Sequence, residues 1–247
     1  GKRVGAYSWG CYDCHPYVLL NWQGTINDVF TLAHELGHAL HSYYSNASQP
    51  IQYANYTIFV AEVASTVNEN LLMEYMLKKS KDNTEKAFLL NHYLEEFRAT
   101  VYRQTMFAEF EKDAHKMYET GDVLTAESLS ELYMGLQHRY FKKVVKIDEE
   151  IAMEWARIPH FYTSFYVYKY ATGFSSATHL AAGILSGDRG KIASYLEFLK
   201  SGGSDYPLEI LKKAGVDLST TEPIDAAFDV FEEKLNQFEV NEFICIS

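Results

Sequence analysis

The sequence predicts an all-α, multi-helical fold with a minor extended segment near the N-terminus. Three observations lead there. Only 5 prolines fall within 247 residues, so long helices can run without the breaks that proline imposes. Apolar residues recur at three- and four-residue spacing along most of the chain, the period of one helix face. No repeat, low-complexity tract or linker divides the sequence, so residues 1–247 read as one domain.

Residues 4–22 are the extended exception, where Tyr17-Val18-Leu19-Leu20 follows Pro16. Thr25-Ile26-Asn27-Asp28 then has the form of a helix start, an N-cap threonine with an acid three residues on. Ile26, Val29, Phe30, Ala33, Leu36, Gly37 and Leu40 continue the pattern and predict a helix over about 25–45. A second helix is predicted over about 58–79, with Lys78 and Lys79 in the last turn, where cations suit the dipole. Residues 84–120 contain no proline or glycine and read as one very long helix ending at Gly121. Further helices are expected over about 125–146, 148–156, 162–186, 189–201, 207–214 and 223–239, separated at Gly187, Gly202-Gly203 and Pro223.

Composition excludes several functional classes. With 47% apolar and 22% charged residues the chain can bury a large core. The balance of 22 basic against 33 acidic residues gives a net charge of −11, and no basic run is dense enough to neutralise a phosphate backbone, so nucleic acid is not expected as a partner. No uncharged apolar stretch approaches the length of a membrane span, roughly 18–20 residues. Three cysteines cannot form a disulfide framework and point to a reducing compartment, so a cytoplasmic location is expected. The 19 tyrosines suggest a Tyr-lined cavity, although most are expected in packing.

The segment that carries chemistry is His34-Glu35-Leu36-Gly37-His38. Residues four apart share a helical face, so the two imidazoles can converge on one cation while Glu35 projects beside them toward a bound water. A chain of this composition would show this spacing by chance about 3 times in 100, so context must decide. The motif falls on a strongly predicted helix whose face is otherwise Ala, Leu and Gly. The competing reading is two core histidines and a surface glutamate. Catalytic zinc takes a third protein ligand and leaves a position open for water. Glu62 is the candidate on the second helix, set among apolar residues where an unpaired carboxylate is costly; the alternative is a helix-edge carboxylate reaching solvent. Glu69 lies two turns further along the same face and could support one of the histidines.

His34-Glu35-Leu36-Gly37-His38 followed by Phe59-Val60-Ala61-Glu62-Val63-Ala64-Ser65 resembles the thimet-oligopeptidase family of zinc metallopeptidases, and the surrounding sequence resembles its oligoendopeptidase F branch. The resemblance extends over nearly the whole chain, through Ala6-Tyr7-Ser8-Trp9-Gly10, His15-Pro16-Tyr17, Thr31-Leu32-Ala33, His160-Phe161-Tyr162, Tyr168-Lys169-Tyr170-Ala171-Thr172-Gly173 and Gly202-Gly203-Ser204-Asp205-Tyr206-Pro207. It implies a zincin-type catalytic domain holding one Zn2+ on His34, His38 and Glu62, with Glu35 as general base. It also implies a histidine and tyrosines that bind substrate and stabilise the oxyanion: Tyr168 first, then His160, with Tyr162 and Tyr166 behind them. Without the resemblance this run reads as an aromatic helix face.

The implied reaction is hydrolysis of internal bonds in short unfolded peptides. An exopeptidase with the same motif, or a silent fragment with a structural metal, are the alternatives. Family members are two to three times this length, so the chain is expected to be the C-terminal catalytic part of a longer oligoendopeptidase, partnered by an N-terminal half that walls the substrate channel. Gly202-Gly203-Ser204-Asp205-Tyr206 could close over a peptide, or be an ordinary connection. His41 is expected in packing. Cys11-Tyr12-Asp13-Cys14-His15 has the spacing of a c-type haem attachment, but no second axial ligand is visible and Pro16 places it in extended chain. Free thiols are expected there, with a second zinc or a redox pair as the alternative. The apolar tail Phe243-Ile244-Cys245-Ile246-Ser247 is assigned no role.

Overall fold

The computed structural model describes residues 5–141 and 145–245; residues 1–4, 142–144 and 246–247 lie outside the description, as do the side chains from 241 onward. Residues 142–144 of the helix expected over 125–146, the first residue of the expected extended segment, and the C-terminal tail's side chains fall there; Val145 and Lys146 are described and are not helical, so that helix stops short of its expected end.

The extended segment is an antiparallel hairpin of β1 (Ala6–Trp9) and β2 (Tyr17–Leu20), in register Ala6 to Leu20 and Trp9 to Tyr17. Period-two alternation turns Tyr7 and Trp9 outward and leaves Ala6 and Ser8 half-buried. The hairpin contacts α1 (Ile26–Ser48), whose start is set as the sequence predicts: the Thr25 amide donates to Asp28 Oδ2 at 2.7 Å. α2 (Ile58–Lys79) has the predicted bounds and packs along α1.

The long helix expected over 84–120 stays helical but not uniformly α. α3 (Asn83–Phe97) passes through a π-helical turn at Arg98–Tyr102 into α4 (Arg103–Glu119), and Gly121 follows with a left-handed φ of 91°. α5 spans Ala126–Phe141.

Two expectations are corrected beyond it. The segment Glu149–Arg157 is 3-10 helix, not α. Within it Glu154 is buried and accepts from Arg103, Arg157 and the Tyr133 hydroxyl, the last at 2.6 Å, so side-chain bonds fix this stretch as well as its backbone. The helix expected from 162 begins only at 168. Pro159–Tyr162 form a 3-10 turn, and Phe165 takes a left-handed φ of 54° with its amide donating to Glu111 Oε1 at 2.5 Å. No α-helix continues through such a residue.

α6 (Tyr168–Leu185), α7 (Arg189–Lys200) and α8 (Pro207–Lys213) follow, α7 capped by Asp188, whose carboxylate accepts from Gly190 and Lys191. α9 (Glu222–Cys245) runs past the expected end at 239. None of the described helices is long and apolar enough to cross a membrane.

The chain divides into two compact units, one of Gly1–Glu95 with Thr172–Ser247 and one of Glu96–Ala171. The core of the first joins Val60, Val63, Ala64 and Val67 of α2 to Ala177, Leu180 and Ala181 of α6, Phe198 of α7 and Leu211 of α8. The second is built on Met106, Phe107, Phe110, Tyr133 and Leu136.

Candidate metal centre

The centre lies in the first unit, where α1 and α2 come unusually close. A Cβ on Gly37 would stand 2.5 Å from the Ser65 Cα and 2.7 Å from the Ala64 carbonyl oxygen, so only glycine fits. Asn68 adds a bond across the pair, donating to the Ala33 carbonyl at 3.2 Å. This backbone approach puts Glu62, one turn before Ser65, opposite the two histidines that flank Gly37.

The three groups converge. His34 Nε2 lies 3.1 Å from His38 Nε2 and 3.3 Å from Glu62 Oε2, and His38 Nε2 lies 3.8 Å from that oxygen. Among the described residues these are the one set of three such donors close enough to hold an ion together. Zinc–nitrogen bonds of about 2.0–2.1 Å at a tetrahedral angle set ligand atoms about 3.3 Å apart. The observed separations bracket that value. Two imidazoles and a carboxylate are also the donor types zinc accepts in catalytic sites.

Glu69 supports the set as its place along α2 suggested. Its Oε1 lies 2.5 Å from His34 Nδ1. A carboxylate can only accept here, so Nδ1 carries the proton and Nε2 is left to face His38 and Glu62. Burial opposes charge on His34, but Glu62 and Glu69 outweigh it and raise its pKa to about 10. Burial and the neighbouring His34 together lower that of His38. Glu62 is pushed up by burial, yet the two histidines and the Ser65 hydroxyl prevail and hold it below the usual carboxylate value.

Glu35 is buried and is not one of the three converging donors. Burial raises its pKa, opposed by His34 and by a bond from the Ser8 amide of β1. It is thus a carboxyl beside the donor set that is easier to protonate than a free one, as a group that takes up and returns a proton should be.

His41 is in packing, as expected. It is 1% exposed, stacks on Tyr56 with centroids 3.6 Å apart, and touches Phe198. Tyr56 in turn bonds Ser42 at 2.8 Å and reaches the His38 carbonyl at 3.4 Å, a support for the ligand helix that no sequence pattern signalled. The Gly202-Gly203 turn is an internal connection at its backbone: the Gly203 amide donates to the Tyr53 carbonyl at 2.8 Å.

His160, Tyr162, Tyr166 and Tyr168 belong to the 159–168 stretch of the second unit. There His160 Nε2 lies 3.1 Å from the Tyr170 hydroxyl, and its ring is 5.8 Å from those of both Tyr166 and Tyr170. Tyr170 is therefore a member of this aromatic group that the sequence reading did not single out. Its spacing of two from Tyr168 hides the relationship, which depends on the turn at Phe165. Tyr162 is 86% exposed, and Tyr168 opens α6.

Comparison with known proteins adds the family. A model described as peptidase family M3 matches residues 1–230. The chain belongs to that family, in its oligoendopeptidase F branch. It is 53% identical to oligopeptidase PepF of Bacillus subtilis over 97% of this chain and 36% of that protein. It is also 53% identical to the plasmid oligoendopeptidase F of Lactococcus lactis subsp. cremoris, over 97% of this chain and 40% of that one. The crystal structure of oligoendopeptidase-F from Enterococcus faecium superposes with a TM-score of 0.79 at 47% identity, covering 87% of this chain and 39% of that chain. This M3 chain thus spans about two fifths of the length of these relatives.

Proposed function

We propose that this chain carries the metal centre of a zinc-dependent endopeptidase that hydrolyses internal bonds of short unfolded peptides. The observation that carries the reading is the convergence of His34, His38 and Glu62 with the buried carboxyl of Glu35 beside them. M3 membership and the oligopeptidase names of the relatives support the substrate class.

His34 Nε2, His38 Nε2 and one Glu62 oxygen are the atoms that would hold the ion. A zinc ion there supplies a Lewis acid for the scissile carbonyl and for the attacking water. Glu35 takes the proton from that water as it attacks and returns it to the departing amine. Glu69 keeps the His34 proton on Nδ1 throughout, so that Nε2 stays a donor atom. Tyr168 and His160 are assigned, on the family resemblance, to donating hydrogen bonds to the oxyanion.

The test is Glu35→Gln in an assay with an internally quenched peptide blocked at both ends. Turnover should fall by about 100-fold or more while metal content stays at one ion per chain. Unchanged turnover overturns the role of Glu35, and cleavage confined to peptides with a free end overturns the endopeptidase reading.

A further inference from the structure

The pair Cys11 and Cys14 takes no part in the metal centre, and both residues are exposed. Their backbone is held from two sides. The Cys11 carbonyl accepts from the Cys14 amide at 3.2 Å and from Asn46 Nδ2 at 3.0 Å. Tyr12 donates its hydroxyl to the Gln49 carbonyl at 3.0 Å, and Asp13 takes the left-handed φ of 63° that closes the turn. Gly10 sits where a Cβ would stand 2.9 Å from that of Ser42. The tip of the hairpin is therefore fixed to the last turns of α1, and two thiols leave it from the first and fourth positions of one hydrogen-bonded turn.

Those positions bring the two Cα atoms within about 7 Å. Disulfides bridge Cα atoms about 4.4–6.8 Å apart. We propose that Cys11 and Cys14 form a reversible dithiol–disulfide site that exchanges with small disulfides of the glutathione type. One thiolate attacks a sulfur of the small disulfide, breaking its S–S bond and releasing one small thiol, which leaves a mixed disulfide on the protein. The second cysteine then attacks the protein sulfur of that mixed disulfide, closing the Cys11–Cys14 bond and releasing the second small thiol. The protein pair is oxidised by two electrons, and both protons leave on, or are exchanged for those of, the two thiols. Because the turn is held before reaction, the second step is intramolecular and should outrun release of the mixed disulfide.

The experiment uses the 247-residue chain carrying Cys245→Ser, equilibrated across ratios of reduced to oxidised glutathione, quenched with a maleimide and weighed intact. The expected result is a loss of two maleimide labels in one step with no glutathione retained. In the further variants C11S and C14S the remaining thiol should instead retain one glutathione. Glutathione adducts on the C245S chain itself, disulfide-linked dimers, or two labels retained at every ratio would each overturn the proposal. Since the readout is thiol chemistry and not hydrolysis, failure here leaves the metal-centre reading untouched.

Discussion

The Nδ1 atom of His34 and the Oε1 atom of Glu69 stand 2.5 Å apart, on helices joined by backbone contact at Gly37. The pair fixes which imidazole nitrogen faces the metal set. Groups of this kind typically contribute 10- to 100-fold in metal affinity. Glu69→Gln should therefore weaken zinc binding by about 10–100-fold, measured by competition with a chromophoric chelator. The fold should survive, because Glu69 is not in the buried core. An unchanged affinity would remove Glu69 from the site.

The Gly37 contact supports a second prediction. Gly37→Ala must push apart two backbones that now leave no room for a methyl. Overpacking of this kind typically costs about 1–3 kcal/mol, and here the obstruction is Ser65 Cα and the Ala64 carbonyl, which cannot rotate away. Thermal unfolding should shift down, and zinc affinity should fall with it, since the same shift draws Glu62 from His34 and His38. A variant that loses neither stability nor affinity would show that the helices can separate freely.

Much of this arrangement was legible in the sequence for a physical reason. His34 and His38 are one turn apart on one helix with Glu35 next to the first, so helical period alone places them. Glu62 needed a second helix to arrive at a particular height, which no periodicity fixes; its apolar surroundings marked it as a candidate, and the family resemblance chose the ligand role over a carboxylate reaching solvent. In sequence Gly37 reads as one more small residue of the helix face, and its role appears only when α2 is in place. The same limit explains why 148–168 departs from its sequence pattern. The propensities of Glu149–Arg157 are helical, but Glu154 is engaged by Arg103 and Tyr133, more than 20 residues away in sequence. Phe165 carries no glycine-like signal for its left-handed backbone.

His41 leads to a pH prediction. Burial first, and then the neighbouring His38, lowers its pKa from 6.5 to about 3. The folded chain therefore keeps His41 neutral where the unfolded chain protonates it. Stability contributed by the neutral form is intact above pH 6.5 and drains away as pH falls from 6.5 toward 3, reaching about 5 kcal/mol by the lower end. His41→Phe keeps a flat ring against Tyr56 and removes the titration. Denaturant unfolding between pH 4 and 7 should then show a visibly shallower pH slope for the variant. Equal slopes would mean that the His41 ring is hydrated or charged in the folded protein.

Lys234 of α9 is 4% exposed and pairs with Glu74 of α2. An ammonium buried at that depth depends on its carboxylate, because a buried charge without a partner is costly. Glu74→Ala should thus destabilise the first unit by about 3–5 kcal/mol, the usual penalty for breaking a buried pair from one side. Lys234→Met alone should do less, since Glu74 retains partial access to water. The double variant Glu74→Leu with Lys234→Met should recover most of the loss, because replacing both charges removes the desolvation penalty as well as the attraction. Chemical denaturation of the four proteins measures the cycle. If Glu74→Ala and Lys234→Met proved additive, the two side chains would be acting independently, and the pair would carry no coupling between α2 and α9.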